Sequence, residues 1–235
     1  MTQPVVELFF SLSSPWAHLG LTKFRAIVAR HGARIVLHPI VVVQENGGIP
    51  LRSRPQPRQD YHETELDRWR HYLGLKLNLR PKHYPTDPRP AARMVIAGMR
   101  AGASVETLLD FSQSVLAAIW ADERDILDPA VRIELANRHG LDGQALLAVA
   151  DSAEVFADWK SHERQAIAAG VFGTPTFIFE GERFWGQDRL DFLDRAIDQW
   201  RHSSSLFSSA GREQGAVPAQ SHSGFELPSG SAGRA

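Results

Sequence analysis

The apolar pattern changes period twice along the chain, and that order limits the folds open to it. Val5-Val6-Glu7-Leu8-Phe9-Phe10 is short, apolar and β-prone, and it reads as a buried strand. A polar break, Ser11-Leu12-Ser13-Ser14-Pro15, follows. From Trp16 to His31 the apolar residues Leu19, Phe24, Ile27 and Val28 recur with helical spacing until Gly32 stops the helix. Arg34 to Ile40 is a second strand, and the crossover between the two runs suits parallel pairing. Gly47 to Pro57, rich in proline and glycine, is a loop. From Asp60 to about Ala169 the pattern is mostly helical, with helices predicted over 61–73, 91–101, 104–121, from 129, over 141–149 and over 152–169. The short period then returns. Thr174 to Phe179 is a strand, Glu180-Gly181-Glu182 a turn, and Arg183 to Gly186 a partner strand, so this segment is a hairpin. An amphipathic helix from Leu190 to about Trp200 closes the pattern. The predicted order is β–α–β, a helical block, then β–β–α.

Composition narrows the chemistry. The 235 residues hold 26 Lys and Arg against 27 Asp and Glu, a formal net charge of -1, which argues against a general electrostatic grip on nucleic acid or an anionic membrane. There is no cysteine, which removes disulfides, thiolate nucleophiles, Cys-ligated zinc and iron–sulfur clusters together. No apolar run reaches the roughly 18 residues of a membrane span, and no signal peptide is evident, so a cytoplasmic protein is expected. Residues 203–235 are rich in Ser, Gly, Ala and Pro with no sustained period, and disorder is expected there.

Three short motifs carry possible chemistry, and each also has a plain structural reading. Ser13-Ser14-Pro15 is a helix cap; it also places a hydroxyl at a helix N-terminus, where free amides and a partial positive charge would hold an anionic sulfur. No base adjoins Ser14, so a hydrogen-bond donor role is favoured over a covalent one. Gly173-Thr174-Pro175-Thr176 opens a strand; Pro175 is either an ordinary turn proline or a cis bond that offers the Thr174 backbone to an extended peptide ligand. In Trp185-Gly186-Gln187-Asp188-Arg189, Asp188 is a simple cap, or Gln187 and Asp188 bind the amine or carboxylate of a small ligand. The ten histidines show no metal-ligand spacing, and no metal is expected. His62 and His71 read as surface residues, His31 and His139 as helix-end residues, and His18 stands apart because it lies one turn beyond Ser14. Arg52, Arg54 and Arg58 form a solvated loop or a lid that attracts carboxylates. Phosphate-binding loops and a nucleophile elbow are absent.

Taken together, the motifs resemble the thioredoxin superfamily, and within it the DsbA-like branch that holds 2-hydroxychromene-2-carboxylate isomerases and kappa-class glutathione transferases. The resemblance runs over residues 5–200. It rests on Val6 to Phe10 through Ser14-Pro15-Trp16 to Leu19-Gly20, on Tyr61 to Trp69, on Val171 to Thr176, and on Trp185 to Arg189. It implies an α/β, thioredoxin-like fold in residues 1–58 and 170–202, with a DsbA-type helical domain inserted over 59–169. It implies glutathione as cofactor. Ser14 would hydrogen-bond the sulfur, Pro175 would be cis, the Thr174 backbone would pair with the cysteinyl unit, and Gln187 and Asp188, beside Trp185 and Gly186, would hold the γ-glutamyl end. Tyr84 resembles a substrate-binding tyrosine, and Asn46 and Arg54 fall in the loop where polar substrate ligands are expected. The implied activity is isomerisation of an aromatic 2-oxo acid by reversible thiol addition, bond rotation and elimination. A kappa-like transferase and a non-catalytic binding module are the alternatives. A homodimer acting on a small aromatic substrate is expected. Ser11, His18 and Thr174 stand where the family often has Asp, Tyr or Trp, and Val or Leu.

Overall fold

The first strand, β1 (Val5–Phe10), lies inside a four-stranded sheet because both of its faces find apolar cover. The computed structural model describes residues 3–213. The sheet order is β2-β1-β3-β4, with β2 (Arg34–Pro39) parallel to β1, β3 (Thr176–Phe179) antiparallel to β1, and β4 (Glu182–Trp185) antiparallel to β3. Leu8 pairs with Leu37 on one side and Phe177 on the other. Alternation then sorts the side chains. Val6, Leu8, Phe10, Ile35, Leu37, Phe177 and Phe179 join one large core, while Phe9 and Ile178 join a smaller one with Ile40, Val43, Ala166 and Val171.

Helix α1 (Pro15–His31) supplies the crossover between β1 and β2, and Phe24 meets Phe177 with ring centroids 4.7 Å apart. Ser14 caps it, with Pro15 in the first turn and Gly32, in the left-handed conformation, at its end. Between β2 and β3 the chain is helical: α2 (Gln56–Leu73), α3 (Arg89–Arg100), α4 (Val105–Trp120), α5 (Pro129–Arg138), α6 (Gly143–Val149) and α7 (Ala153–Ala168). Ser104, Asp128 and Ser152 cap α4, α5 and α7 by accepting from backbone amides. α2 begins five residues earlier than the predicted Tyr61, because Pro55 and Pro57 suit a first turn that has no amide partner to lose.

Helix α8 (Leu190–Glu213) runs past the expected end near Trp200 and through residues 203–213, where disorder is expected from composition. Extending a formed helix fixes one residue per new hydrogen bond and needs no burial, and the Ser203 hydroxyl adds a bond to the Gln199 carbonyl at 3.0 Å. The rest of the expected tail lies outside the described residues. No helix among the described residues is long and apolar enough to cross a membrane.

Candidate active site

The β1–α1 junction, the β3 entry and the β4–α8 junction meet at one end of the sheet. Their residues line one cavity of about 760 Å³ together with the loop after β2 and the start of α2. Ser14 sits at its base, 8% exposed. Its Oγ accepts from the Ala17 amide at 3.3 Å, which is the capping bond. The same hydroxyl donates to the Thr174 carbonyl at 3.2 Å. The Ser14 amide is tied to the Ser11 carbonyl at 3.1 Å, and the Trp120 indole donates to the Ser13 carbonyl at 3.2 Å. Four bonds thus fix the hydroxyl at the positive end of α1. A ligand donor that takes the Thr174 carbonyl frees the Ser14 proton for a second acceptor in the cavity.

The Thr174–Pro175 bond is cis. The strand therefore starts at Thr176 rather than Thr174, and Thr174 lines the cavity while Pro175 does not. The Pro175 carbonyl accepts from the Gly186 amide at 2.9 Å, joining the β3 entry to the β4 exit. Gly186 has a positive φ of 97°, and a Cβ there would lie 2.5 Å from Asp188 Oδ1. Asp188 is on the cavity wall, and its carboxylate pairs with Arg189 at 3.0 Å. Trp185, half exposed, stands edge-on to Phe172.

Gln187 is the most buried polar group in the wall, at 3% exposure. Its Nε2 has no hydrogen-bond partner. A buried donor left unpaired is costly, and native structures seldom keep one without a ligand or water to satisfy it. Gly20 makes this placement possible: a Cβ at Gly20 would lie 2.6 Å from Gln187 Cβ and 3.5 Å from its Cα, at the root of the side chain rather than at a flexible end. Gly20→Ala is expected to push Gln187 out of place. Ligand affinity should fall at least several-fold in calorimetry while the melting temperature drops modestly. Unchanged affinity would separate Gln187 from binding.

Of the residues expected to hold substrate, Tyr84 and Arg54 line the cavity. Tyr84 packs on Trp120 with centroids 4.6 Å apart, and burial pushes its phenol up, so it stays a neutral donor. Arg54 is held by two bonds to the Ile49 carbonyl, at 3.1 and 2.9 Å. Burial and the neighbouring Arg58 pull its pKa down. Asn46 does not join them. Its amide donates to the carbonyls of Ala166, Ile167 and Val171, so it closes the C-terminal end of α7 instead of facing the cavity. His18 is likewise turned away, with Nε2 bonded to the Lys76 carbonyl at 3.1 Å.

His62 is the residue the sequence misplaces. It lines the cavity, where a surface position is expected, and meets Trp16 edge-on with centroids 5.3 Å apart. Burial and the charge of Arg54 bring its pKa down to about 4. Arg58 of the Arg-rich segment, Trp69 of the Tyr61–Trp69 segment and Gly173 of the Thr174-Pro175 motif also line the wall, although the sequence assigns none of them a ligand-binding role. For Gly173 a signal exists only in three dimensions, since a Cβ there would lie 2.4 Å from the Trp185 indole nitrogen.

The model of the DSBA-like thioredoxin domain matches residues 5–198. The chain belongs to the DSBA-like thioredoxin family. Its relatives include a 2-hydroxychromene-2-carboxylate isomerase from Sphingobium xenophagum, 26% identical over 80% of this chain and 95% of that one. Another of the same name, from Pseudomonas putida, is 23% identical over 87% of this chain and all of that one. Among solved structures, a 2-hydroxychromene-2-carboxylate isomerase superposes with a TM-score of 0.70 at 23% identity, covering 86% of this chain and 98% of its own. A probable DsbA oxidoreductase from Streptomyces coelicolor gives 0.68 at 20%, covering 84% and 89%. The cytosolic disulfide reductase DsbM from Pseudomonas aeruginosa, solved with GSH, gives 0.59 at 19%, covering 83% and 99%. These structures establish the thioredoxin-like fold, interrupted by helices between β2 and β3. This member has no cysteine, so it has no thiol of its own for disulfide exchange.

Proposed function

We propose that the chain is a glutathione-dependent isomerase of the 2-hydroxychromene-2-carboxylate type, acting on a small aromatic 2-oxo acid. The observation that carries this reading is the Ser14 hydroxyl, fixed at the N-terminus of α1 beside the Thr174 carbonyl, in a chain without a thiol. Such a site is built to hold a sulfur that the protein does not itself contain. The names of the curated relatives support the isomerase class.

The wall suits a peptide thiol on physical grounds. The unpaired Gln187 amide and the Asp188 carboxylate offer a donor and an acceptor for an amino acid end. The Thr174 carbonyl offers an acceptor for a peptide N–H, and the hydroxyl of Ser14 then turns to the sulfur. When bound, glutathione supplies a thiolate that adds reversibly to a conjugated carbon. Ser14 and the positive end of α1 stabilise the anionic sulfur before addition and after expulsion. Trp16, Trp69 and Tyr84 line the cavity with aromatic surface for an aromatic second ligand, and Arg54 and Arg58 supply positive charge for a carboxylate. The cavity volume falls within the roughly 300–1,000 Å³ of ligand sites.

The test is isomerisation of 2-hydroxychromene-2-carboxylate followed by absorbance, with and without glutathione. Turnover that needs glutathione and leaves its concentration unchanged is expected. Consumption of glutathione by aryl halides without isomerisation would make the protein a transferase, and neither reaction would leave a binding module.

A further inference from the structure

We infer that His62 is a catalytic residue that donates a hydrogen bond to the carbonyl oxygen of the second ligand, in the same cavity in which Ser14 holds the sulfur. The inference rests on the reading of the site given above and adds a residue to it.

Three observations carry it. First, His62 lines the cavity and touches Trp16, which lies two residues from Ser14, so the imidazole and the hydroxyl serve one chamber. Second, neither ring nitrogen of His62 bonds to a described protein atom. By contrast His18, His31, His38 and His162 all spend a nitrogen on the fold. A half-buried imidazole without a structural bond has its N–H available for a ligand. Third, its surroundings hold it uncharged at neutral pH. Arg54 from the preceding loop repels a second positive charge, and Arg58 lies one turn earlier on α2. On α2, Glu65 is engaged by Arg68 at 2.5 Å and Glu63 by Arg80 at 3.1 Å, and Tyr61 lines the cavity beside His62; from α1, Pro15 and the uncharged Trp16 line the cavity.

The chemistry favours an uncharged donor. In conjugate addition the sulfur–carbon bond forms as the π pair moves onto the carbonyl oxygen. That oxygen gains negative charge, and the pair returns when the sulfur leaves. No net proton or electron is lost. A neutral imidazole N–H stabilises the charge without trapping it by full protonation, a role known for a neutral histidine at other carbonyl sites. A cation there would hold the charged oxygen and slow the expulsion.

The experiment compares His62→Phe and His62→Gln with wild type. Glutathione binding by calorimetry should be unchanged in both. His62→Phe should lower kcat for isomerisation roughly ten- to a hundred-fold, with KM for the chromene changed much less, as for loss of a donor to a developing oxyanion. His62→Gln keeps an N–H donor and should recover a large part of the loss. A second readout needs no turnover: the His62 ring signals in NMR should shift when benzoylformate, an aromatic 2-oxo acid, is added to wild type. They should also titrate near pH 4, so the pH profile of kcat shows no limb near 6.5 from this residue. If His62→Phe keeps kcat within two-fold while glutathione still binds, or if benzoylformate leaves the ring signals in place, the inference is overturned and the Ser14 site stands. If wild type binds no glutathione, the reading of the whole site falls, and the inference falls with it.

Discussion

Ser14→Ala is expected to lower glutathione-dependent turnover by roughly ten- to a thousand-fold, because one preorganised donor to a charged atom is worth about 2.7–4 kcal/mol at most. The same substitution removes the cap of α1, whose Oγ accepts from the Ala17 amide. Loss of a cap costs about 1 kcal/mol of stability, so folding and chemistry must be separated. Ser14→Asp does so. A carboxylate caps as well as a hydroxyl, but it repels an anionic sulfur. Ser14→Asp should keep the α1 cap, give up the bond to the Thr174 carbonyl, and, compared at a temperature where circular dichroism shows both variants folded, lose turnover at least as severely as Ser14→Ala. If Ser14→Asp keeps turnover, the hydroxyl does not face the sulfur.

The second large effect is a loss of stability in mild acid, and it comes from the opposite face of the sheet. His38 of β2 lies between Glu7 of β1 and His162 of α7. Its Nε2 is 3.0 Å from Glu7 Oε2, and its Nδ1 is 2.9 Å from His162 Nδ1. Phe9 stacks on it at 4.2 Å. With both rings neutral, one arrangement satisfies these contacts: His38 donates from Nε2 to the carboxylate, and His162 donates from Nδ1 to His38 Nδ1. A second proton has no acceptor inside the pair. Burial lowers both pKa values to about 4, and charge on His38 further opposes protonation of His162.

Both folded pKa values lie below the ordinary 6.5, so between about pH 6.5 and pH 4 the unfolded chain binds more protons than the folded one. Stability is full above the unfolded value and falls as the pH drops through this window. His62 and His18 shift in the same direction and add to the fall. The lowered carboxylates Asp87, Asp194, Glu65, Glu134 and Glu154 start from ordinary values of 3.8 and 4.5, so most of their contribution is lost below pH 4.5, under the histidine window. The expected loss from pH 7.5 to 4.5 is of the order of a few kcal/mol, read from urea unfolding. His162→Gln keeps an N–H for His38 and removes one titrating ring, so its curve should be flatter. A stability that stays level from pH 7.5 to 4.5 would contradict the buried neutral pair.

The sheet and the first helix were legible because short apolar runs stood between Ser-Pro, Gly and Pro signals. Val5 to Phe10 and Thr176 to Phe179 alternate onto two covered faces, and Ser14-Pro15 is a cap wherever a helix follows. Three parts of the site were not legible. His62 lies on α2, which is polar around most of its surface, and only the packing of Arg54 and Trp16 makes a wall of it. Asn46 reads as a ligand residue in a polar loop, yet its amide answers carbonyls about 120 residues away. The burial of Gln187 depends on the missing side chain of Gly20, a close approach that spacing alone does not reveal. Each miss is a tertiary juxtaposition of residues that are ordinary in their local sequence.

The most direct test of the central claim is titration of wild type and Ser14→Ala with glutathione by calorimetry, in two buffers of different ionisation enthalpy. Both proteins are expected to bind glutathione, with proton release near neutral pH in wild type and little or none in Ser14→Ala. This difference reports a thiol pKa brought below neutrality by the Ser14 hydroxyl and the end of α1. Binding without proton release in wild type, or equal release in both proteins, would contradict the claim that Ser14 holds the sulfur as an anion.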